Sequence, residues 1–87
     1  MENWKLYEAA GGYWLYDSVK GPDLLLRPIM ISRIGADIID MLKSGLSIAE
    51  VTVNISRQYE IDIESADADV RDFINAIARA GYNVAVD

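Results

Sequence analysis

The 87-residue chain contains no cysteine and no histidine. Without cysteine it can form no disulfide and present no thiolate nucleophile, which fits a reducing compartment. Without histidine it lacks the side chain most used to bind zinc and to transfer protons near neutral pH. Both absences argue against an enzyme, a metal centre or a bound cofactor, and we expect none of the three.

Long apolar segments and an excess of basic charge are also missing. The longest apolar runs, LLL and IMI, are too short to cross a membrane, and MENWKLYEAAGG has no signal-peptide core. Lysine and arginine number 8 against 14 acidic residues, which gives a net charge of −6. Such a chain should not bind a phosphate backbone. We therefore expect one cytoplasmic domain, residues 1–87, that binds neither a membrane nor nucleic acid.

The first third of the chain is predicted to form strands. The aromatic-rich segments 3–8 and 13–17 flank the turn signal AAGG, and Gly21-Pro22 marks a second turn before an apolar strand at 24–31. Three strands joined by short turns should form an antiparallel meander.

Five aromatic residues crowd the first two strands, namely Trp4, Tyr7, Tyr13, Trp14 and Tyr16. A platform for stacked bases is one interpretation, but the surrounding cations that such a platform needs are missing. We favour packing in the core and pairing across the strands.

Two helices are predicted from Ser32 to the sixties. The first has an N-cap at Ser32 and a stop at Gly45. The second opens with the capping-box spacing of Ser47 and Glu50. The β-branched segment VTVNI inside it could also form a strand, but the capping box and the apolar stripe favour the helix. The stripes comprise Ile34, Ile38, Met41 and Leu42 in the first helix and Ile48, Val51, Ile55 and Tyr59 in the second.

A third helix should begin near residues 62–65 and end at Gly81, with a stripe that faces the sheet. This stripe comprises Val70, Phe73, Ile74 and Ile77. The final YNVAV is either a short tail or a fourth strand. The predicted fold class is α+β, a three-stranded antiparallel sheet followed by three helices.

Acidic residues are the remaining candidates for chemistry. Asp62 begins a cluster of acids that resembles a calcium loop, but a loop counted from it has neither glycine at its sixth position nor glutamate at its twelfth. Asp37 and Asp40 could form a pair of carboxylates for acid–base chemistry, although a solvated helix face is the simpler interpretation. We expect no catalytic residue and no metal site.

The helical part of the chain resembles the PqqD-like domain, which is also called the RiPP recognition element. The shared features are a polar cap followed by glycine, an S-x-x-E helix opening, the motifs Y-x-I-D and D-V-x-x-F-I, and a closing glycine. These features are carried by Ser32, Gly35, Ser47, Glu50, Tyr59, Ile61, Asp62, Asp69, Val70, Phe73, Ile74 and Gly81. Three preceding strands match the order of that family, including its winged-helix-like arrangement.

The resemblance implies a non-catalytic peptide chaperone of natural-product biosynthesis. Such domains bind the leader segment of a ribosomally made precursor peptide and present it to a modifying enzyme, frequently a radical-SAM protein. The peptide adds to strand three and lies against helix three. On this basis the predicted peptide-binding residues are Asp23, Leu24, Leu25, Leu26, Arg27 and Ile29 of the strand, and Val70, Arg71, Ile74, Asn75 and Ala78 of the helix.

Pro28 interrupts the apolar strand and bears on this role. Because proline cannot donate to a ladder, it is tolerated at the edge of a sheet. Pro28 is therefore compatible with an edge strand that a peptide covers, and we expect the ladder between peptide and strand mainly over residues 23–27. Alternatively, residues 24–31 are all core and Pro28 ends the strand. An exposed apolar edge could also pair with a second copy and give a homodimer.

A winged-helix DNA-binding transcriptional regulator is the alternative function, since three helices and a small sheet describe both classes. Winged domains usually place their hairpin after the helices, and this chain has a net charge of −6 with no basic helix face. Both features favour the peptide-binding module.

Overall fold

The computed structural model describes residues 1–19 and 26–84. In chain order the elements are β1 (Trp4–Ala9), β2 (Gly12–Asp17), β3 (Ile29–Ile31), α1 (Arg33–Lys43), α2 (Ile48–Gln58) and α3 (Ile63–Arg79). The strands form one antiparallel sheet in the order β1-β2-β3. This arrangement confirms the predicted α+β fold, in which a three-stranded antiparallel sheet precedes three helices.

A tight hairpin joins β1 to β2. Ala9 pairs with Gly12, so the loop consists of Ala10 and Gly11. Both loop residues have positive φ angles, 53° and 78°. This is the geometry of a type I′ turn, whose twist matches that of the strands it joins. The turn signal read from AAGG is therefore confirmed.

The third strand is shorter than the sequence predicts. The prediction extends over residues 24–31, whereas β3 covers Ile29–Ile31. Leu26 and Arg27 lie outside the strand, so the predicted strand is wrong at these two positions. A ladder between a bound peptide and residues 23–27 stays a prediction. Residues 23–25 and the predicted Gly21-Pro22 turn lie outside the described residues.

The strand starts directly after Pro28. Proline has no N–H group to donate, and its ring restricts the backbone of the residue before it. It therefore marks where the ladder begins, instead of interrupting it.

Each helix begins at an N-cap whose side chain accepts a hydrogen bond from the backbone three residues later. The pairs are Ser32 with Gly35, Ser47 with Glu50, and Asp62 with Ser65. Glu50 also accepts from the Ser47 backbone N–H, which completes the capping box. The predicted helix starts are confirmed.

Glycines in the left-handed conformation follow α1 and α3. Gly45 has a φ of 96° and Gly81 a φ of 99°, a region in which glycine carries no steric cost. Both predicted stops are confirmed. In the part of the chain that the structure describes, no helix is long and apolar enough to cross a membrane.

Two clusters of buried side chains form the core. The sheet cluster comprises Trp4, Leu15, Ile31, Ala36, Ile39, Ile77 and Tyr82. The helical cluster comprises Ile38, Leu42, Val51, Ile55, Ala66, Val70 and Ile74. Phe73 packs against both clusters. Helices α1 and α3 therefore each carry two apolar faces, one towards the sheet and one towards the other helices.

The aromatic residues of the hairpin divide between the two faces of the sheet. Trp4 is buried, and its ring meets that of Tyr82 edge-on at a centroid distance of 5.3 Å. On the other face Tyr7 stacks on Trp14 across the strands at 6.4 Å and meets Tyr16 edge-on at 5.5 Å. These contacts confirm that the aromatic residues serve core packing and cross-strand pairing.

The segment after α3 contributes one residue to the buried core. Tyr82 is fully buried in the sheet cluster. Residues 82–84 form no strand, and residues 85–87 lie outside the described residues. The first part of the predicted tail therefore closes the core beneath the sheet.

Candidate functional site

A groove of about 360 Å³ lies between β3 and α3. Its lining comprises Ile29, Met30, Ile31 and Ser32 from the strand side and Phe73, Ala76, Ile77 and Ala80 from the helix. None of these residues carries a charge. The four helix residues recur at i, i+3, i+4 and i+7, so they share one face of α3.

The strand side of the groove is the edge of the sheet. β3 pairs with β2 on one side, and no strand within residues 1–19 and 26–84 pairs with its other side. Three consecutive residues of β3 line the groove. Consecutive side chains of a strand point to opposite faces, so a hollow on one face of the sheet would be lined by alternate residues only. Because three consecutive residues line this groove, it borders the backbone edge of β3. The unpaired N–H and C=O groups of an edge strand can pair with another extended chain.

The groove has an apolar floor and an open mouth. Ile77 is 2% exposed and belongs to the sheet cluster, whereas Ala76 and Ala80 are exposed. The two alanines lie one turn apart, and their small side chains leave space above Ile77 and Phe73. Met30 is 65% exposed at the edge, and its flexible thioether can adapt to occupants of different shape.

Gly35 positions Phe73 on the helix side of the groove. A Cβ atom at residue 35 would lie 2.4 Å from Cε1 of the Phe73 ring, so only glycine lets α1 approach the ring this closely. Ser32, which lines the groove, holds the same turn of α1 because its Oγ accepts from the Gly35 N–H at 3.1 Å.

Tyr82 holds the segment that leads into β3. Its hydroxyl donates to the Arg27 carbonyl at 2.7 Å and lies 3.4 Å from the Leu15 carbonyl. Burial raises the pKa of Tyr82, and the negative charge of Asp17 raises it further. The hydroxyl therefore stays protonated, as a donor must, throughout the neutral range.

The predicted strand residues fall in three different places. Ile29 lines the groove. Leu26 is half-buried and packs against the sheet cluster, and Arg27 is exposed with its carbonyl bound by the Tyr82 hydroxyl. Asp23, Leu24 and Leu25 lie outside the described residues.

The predicted helix residues do not line this groove. Val70 and Ile74 are buried in the helical cluster, and Arg71 borders a different hollow between α2 and α3. Asn75 is exposed and Ala78 is half-buried, neither of them in the groove lining. The prediction assigned the apolar residues of α3 to a single stripe, whereas the helix has two. The binding role of these residues stays a prediction.

The sequence contains a signal for the helix side of the groove. Phe73 and Ile77 lie on one helix face together with Ala76 and Ala80, and small residues beside large apolar ones on one face are typical of a hollow in a surface. On the strand side, Pro28 indicates where the ladder starts. These two features would have located the lining more closely than apolar character alone.

Two of the acidic residues considered for chemistry, Asp37 and Asp62, have structural roles. Asp37 accepts hydrogen bonds from the Tyr59 hydroxyl and, at 3.1 Å, from Gln58 Nε2, and so joins α1 to α2. The hydrogen bond to Asp37 raises the pKa of Tyr59. Asp62 caps α3, and the Ser65 backbone N–H lowers its pKa. Within the described ranges, no group of three or more histidine, cysteine, aspartate or glutamate residues could hold a metal ion.

Comparison with known proteins places these elements in a family context. The family model described as Coenzyme PQQ synthesis protein D (PqqD) matches residues 27–82. This range covers more than half of the chain and includes β3, the three helices and every residue that lines the groove. No curated protein and no solved structure matches the chain.

Proposed function

The chain belongs to the PqqD family, and on that premise we propose that it binds the leader segment of a ribosomally made precursor peptide and presents it to a modifying enzyme. The protein is then a non-catalytic, cytoplasmic peptide chaperone. The observation that carries the proposal is the edge strand β3 beside an uncharged apolar groove. A peptide can add to such an edge as a further strand while its side chains enter the groove.

The short length of β3 determines how the peptide would be held. A three-residue edge offers only a few main-chain hydrogen bonds, each worth about 0.5–1.5 kcal/mol. Burying two or three apolar side chains against Phe73 and Ile77 would contribute about 1.5–3 kcal/mol for each side chain. After the cost of ordering a flexible peptide, an affinity of roughly micromolar follows. Side chains in the groove therefore provide most of the binding energy.

The modifying enzyme is the second partner in this proposal, and a radical-SAM protein is the class we favour from the family resemblance. A second copy of the chain is the alternative partner: it would pair with the edge of β3 that no described strand covers and give a homodimer. DNA binding is not proposed, because the net charge is −6 and the groove lining is uncharged.

A titration of isotope-labelled protein tests peptide binding. The titrant is a candidate leader peptide taken from a short reading frame beside the gene. We expect amide shifts at residues 29–32 and at the four α3 residues of the lining, 73, 76, 77 and 80. Ala76→Glu places a charged side chain in the groove and should weaken binding at least about tenfold, since it removes apolar contact and leaves a charge facing apolar groups.

Ala68→Glu is the matched control, because Ala68 is also an exposed alanine of α3 but lies outside the groove lining. Its affinity should equal that of the parent protein. Shifts confined to α1 and α2, or equal losses in both variants, would contradict the proposal. Shifts at Asn75 and Ala78 would show that the residues predicted from the sequence also contribute.

A further inference from the structure

A second hollow, of about 680 Å³, lies between α2 and α3 and shares no lining residue with the groove. Ile48, Val53 and Ile63 provide much of its apolar surface. Val53 is 39% exposed and Ile63 is 49% exposed. Large apolar side chains exposed together around a concave surface are typical of a docking site.

Thr52 is a polar residue in the lining of this hollow, and it is 5% exposed. Among the described residues, its buried Oγ1 atom has no hydrogen-bond partner. A threonine in a helix commonly returns its hydroxyl to a carbonyl of the preceding turn. A buried hydroxyl without a partner destabilises the folded state, and valine would have the same shape without that cost. The Oγ1 atom is itself buried from solvent, so a segment resting in the hollow does not reach it. The apolar side chains of the lining therefore form the accessible surface.

The rim of the hollow is acidic. Glu64 and Asp67 border it, and Arg71 forms a 3.0 Å ion pair with Asp67. A shallower hollow continues from it through Val53 and adds Glu50. The carboxylates of the two hollows thus exceed the positive charge of Arg71, within a chain whose net charge is −6. A positively charged occupant complements this rim.

We propose that this hollow docks a basic, apolar segment of a partner protein. An apolar side chain of the segment rests between Ile48, Val53 and Ile63, and flanking lysines or arginines meet the carboxylates of Glu50 and Glu64. The site does not depend on the peptide-binding role of the groove, and both sites can be occupied together.

Two synthetic helical peptides serve as probes. One carries leucines along one face flanked by lysines, and the other carries glutamates in place of the lysines. We expect the lysine peptide to shift the amides of residues 47–53 and 63–71 and to leave 29–31 and 76–80 unchanged. The glutamate peptide should bind at least about tenfold more weakly. Equal affinities, shifts in the groove, or no binding of the lysine peptide would overturn the proposal.

Substitutions in the lining test the contribution of its exposed apolar side chains to binding. Val53→Ala combined with Ile63→Ala removes exposed apolar surface and should weaken the lysine peptide about tenfold. Val19→Ala is the matched control, since Val19 is 64% exposed and lies on the hairpin side of the molecule; its affinity should not change.

Discussion

The Tyr82 hydroxyl donates a hydrogen bond to the Arg27 carbonyl at 2.7 Å, which ties the segment after α3 to the segment that leads into β3. The ring of Tyr82 is fully buried and packs edge-on against Trp4 of β1. One side chain thereby fixes the end of α3 relative to the start of β3. These two elements are the walls of the groove, so the geometry of the site depends on a residue outside its lining.

Tyr82→Phe should lower the free energy of unfolding by about 0.5–1.5 kcal/mol. The substitution keeps the ring but removes the donor to the Arg27 carbonyl, and a typical hydrogen bond contributes that amount. Urea unfolding followed by circular dichroism measures the change. Tyr7→Phe is the control, because Tyr7 is 43% exposed on the outer face and its ring contacts survive. Equal stability of both variants would show that the hydrogen bond contributes nothing.

Stability should fall in alkaline solution. Burial raises the pKa of Tyr82, and the hydrogen bond to Asp37 raises that of Tyr59, both from an ordinary value of 10.0. A raised pKa in the folded state means that the folded protein holds these protons more tightly than the unfolded chain. The corresponding stability is fully present below the unfolded pKa and is lost as the pH rises through the folded values.

Melting temperatures recorded from neutral pH to above pH 10.0 measure this dependence. Tyr82→Phe should flatten part of the alkaline decline, because one of the two raised groups is then absent. A decline of the same slope in the variant would assign the effect to other groups.

The helix boundaries could be predicted because their causes are local. Ser32, Ser47 and Asp62 each accept a hydrogen bond from a backbone N–H only three residues away. Both partners therefore lie within one short stretch of sequence. Gly45 and Gly81 likewise act on the turn that precedes them. The sequence within a few residues is enough to identify such features.

Tyr82 could not be assigned from its neighbours. Its hydrogen-bond acceptor belongs to Arg27, and its ring partner Trp4 lies near the other end of the chain. Only the packed fold brings these residues together. The segment YNVAV was therefore predicted to be either a tail or a strand, whereas its first residue, Tyr82, completes the core.

The structure has a groove where the resemblance led us to expect one, and peptide binding in that groove stays a prediction. The pairing of strand three with helix three as walls came from the family resemblance, and the structure has a groove between them. The strand limits were wrong because apolar character extends through Pro28 whereas the ladder does not. Val70 and Ile74 were predicted to face the sheet but belong to the helical cluster, a distinction that depends on where the other helices lie.

Gly45→Val should lower the free energy of unfolding on the order of 1–2 kcal/mol. Gly45 has a φ of 96°, and the Cβ atom of any other residue is strained in this region, most of all when it is branched. Among the described residues, apart from the two chain neighbours, no atom lies within 4 Å of a Cβ built at this position, so we attribute the loss to backbone strain. Thermal unfolding measures the loss, and an unchanged melting temperature would contradict it. Leader-peptide affinity of the folded variant should match that of the parent.

Gly35→Ala should affect both stability and the groove. The new methyl group would lie 2.4 Å from the Phe73 ring, so the ring or the helix must move, at a cost of about 1–3 kcal/mol. Because Phe73 lines the groove, its displacement should also weaken the binding of a leader peptide. Phe73 is the only phenylalanine in the chain, which makes its ring signals unambiguous in NMR spectra of phenylalanine-labelled protein.

Comparison with Gly45→Val separates the two effects of Gly35→Ala. Both variants lose stability, but only Gly35→Ala should shift the Phe73 ring signals and reduce peptide affinity below that of the parent at a temperature where both variants are folded. The reason is that a methyl group at residue 35 presses on a wall of the groove, whereas a side chain at residue 45 enters open space. Unmoved ring signals in Gly35→Ala, together with a lower melting temperature, would mean that α1 shifts as a unit and that the groove does not depend on this close contact.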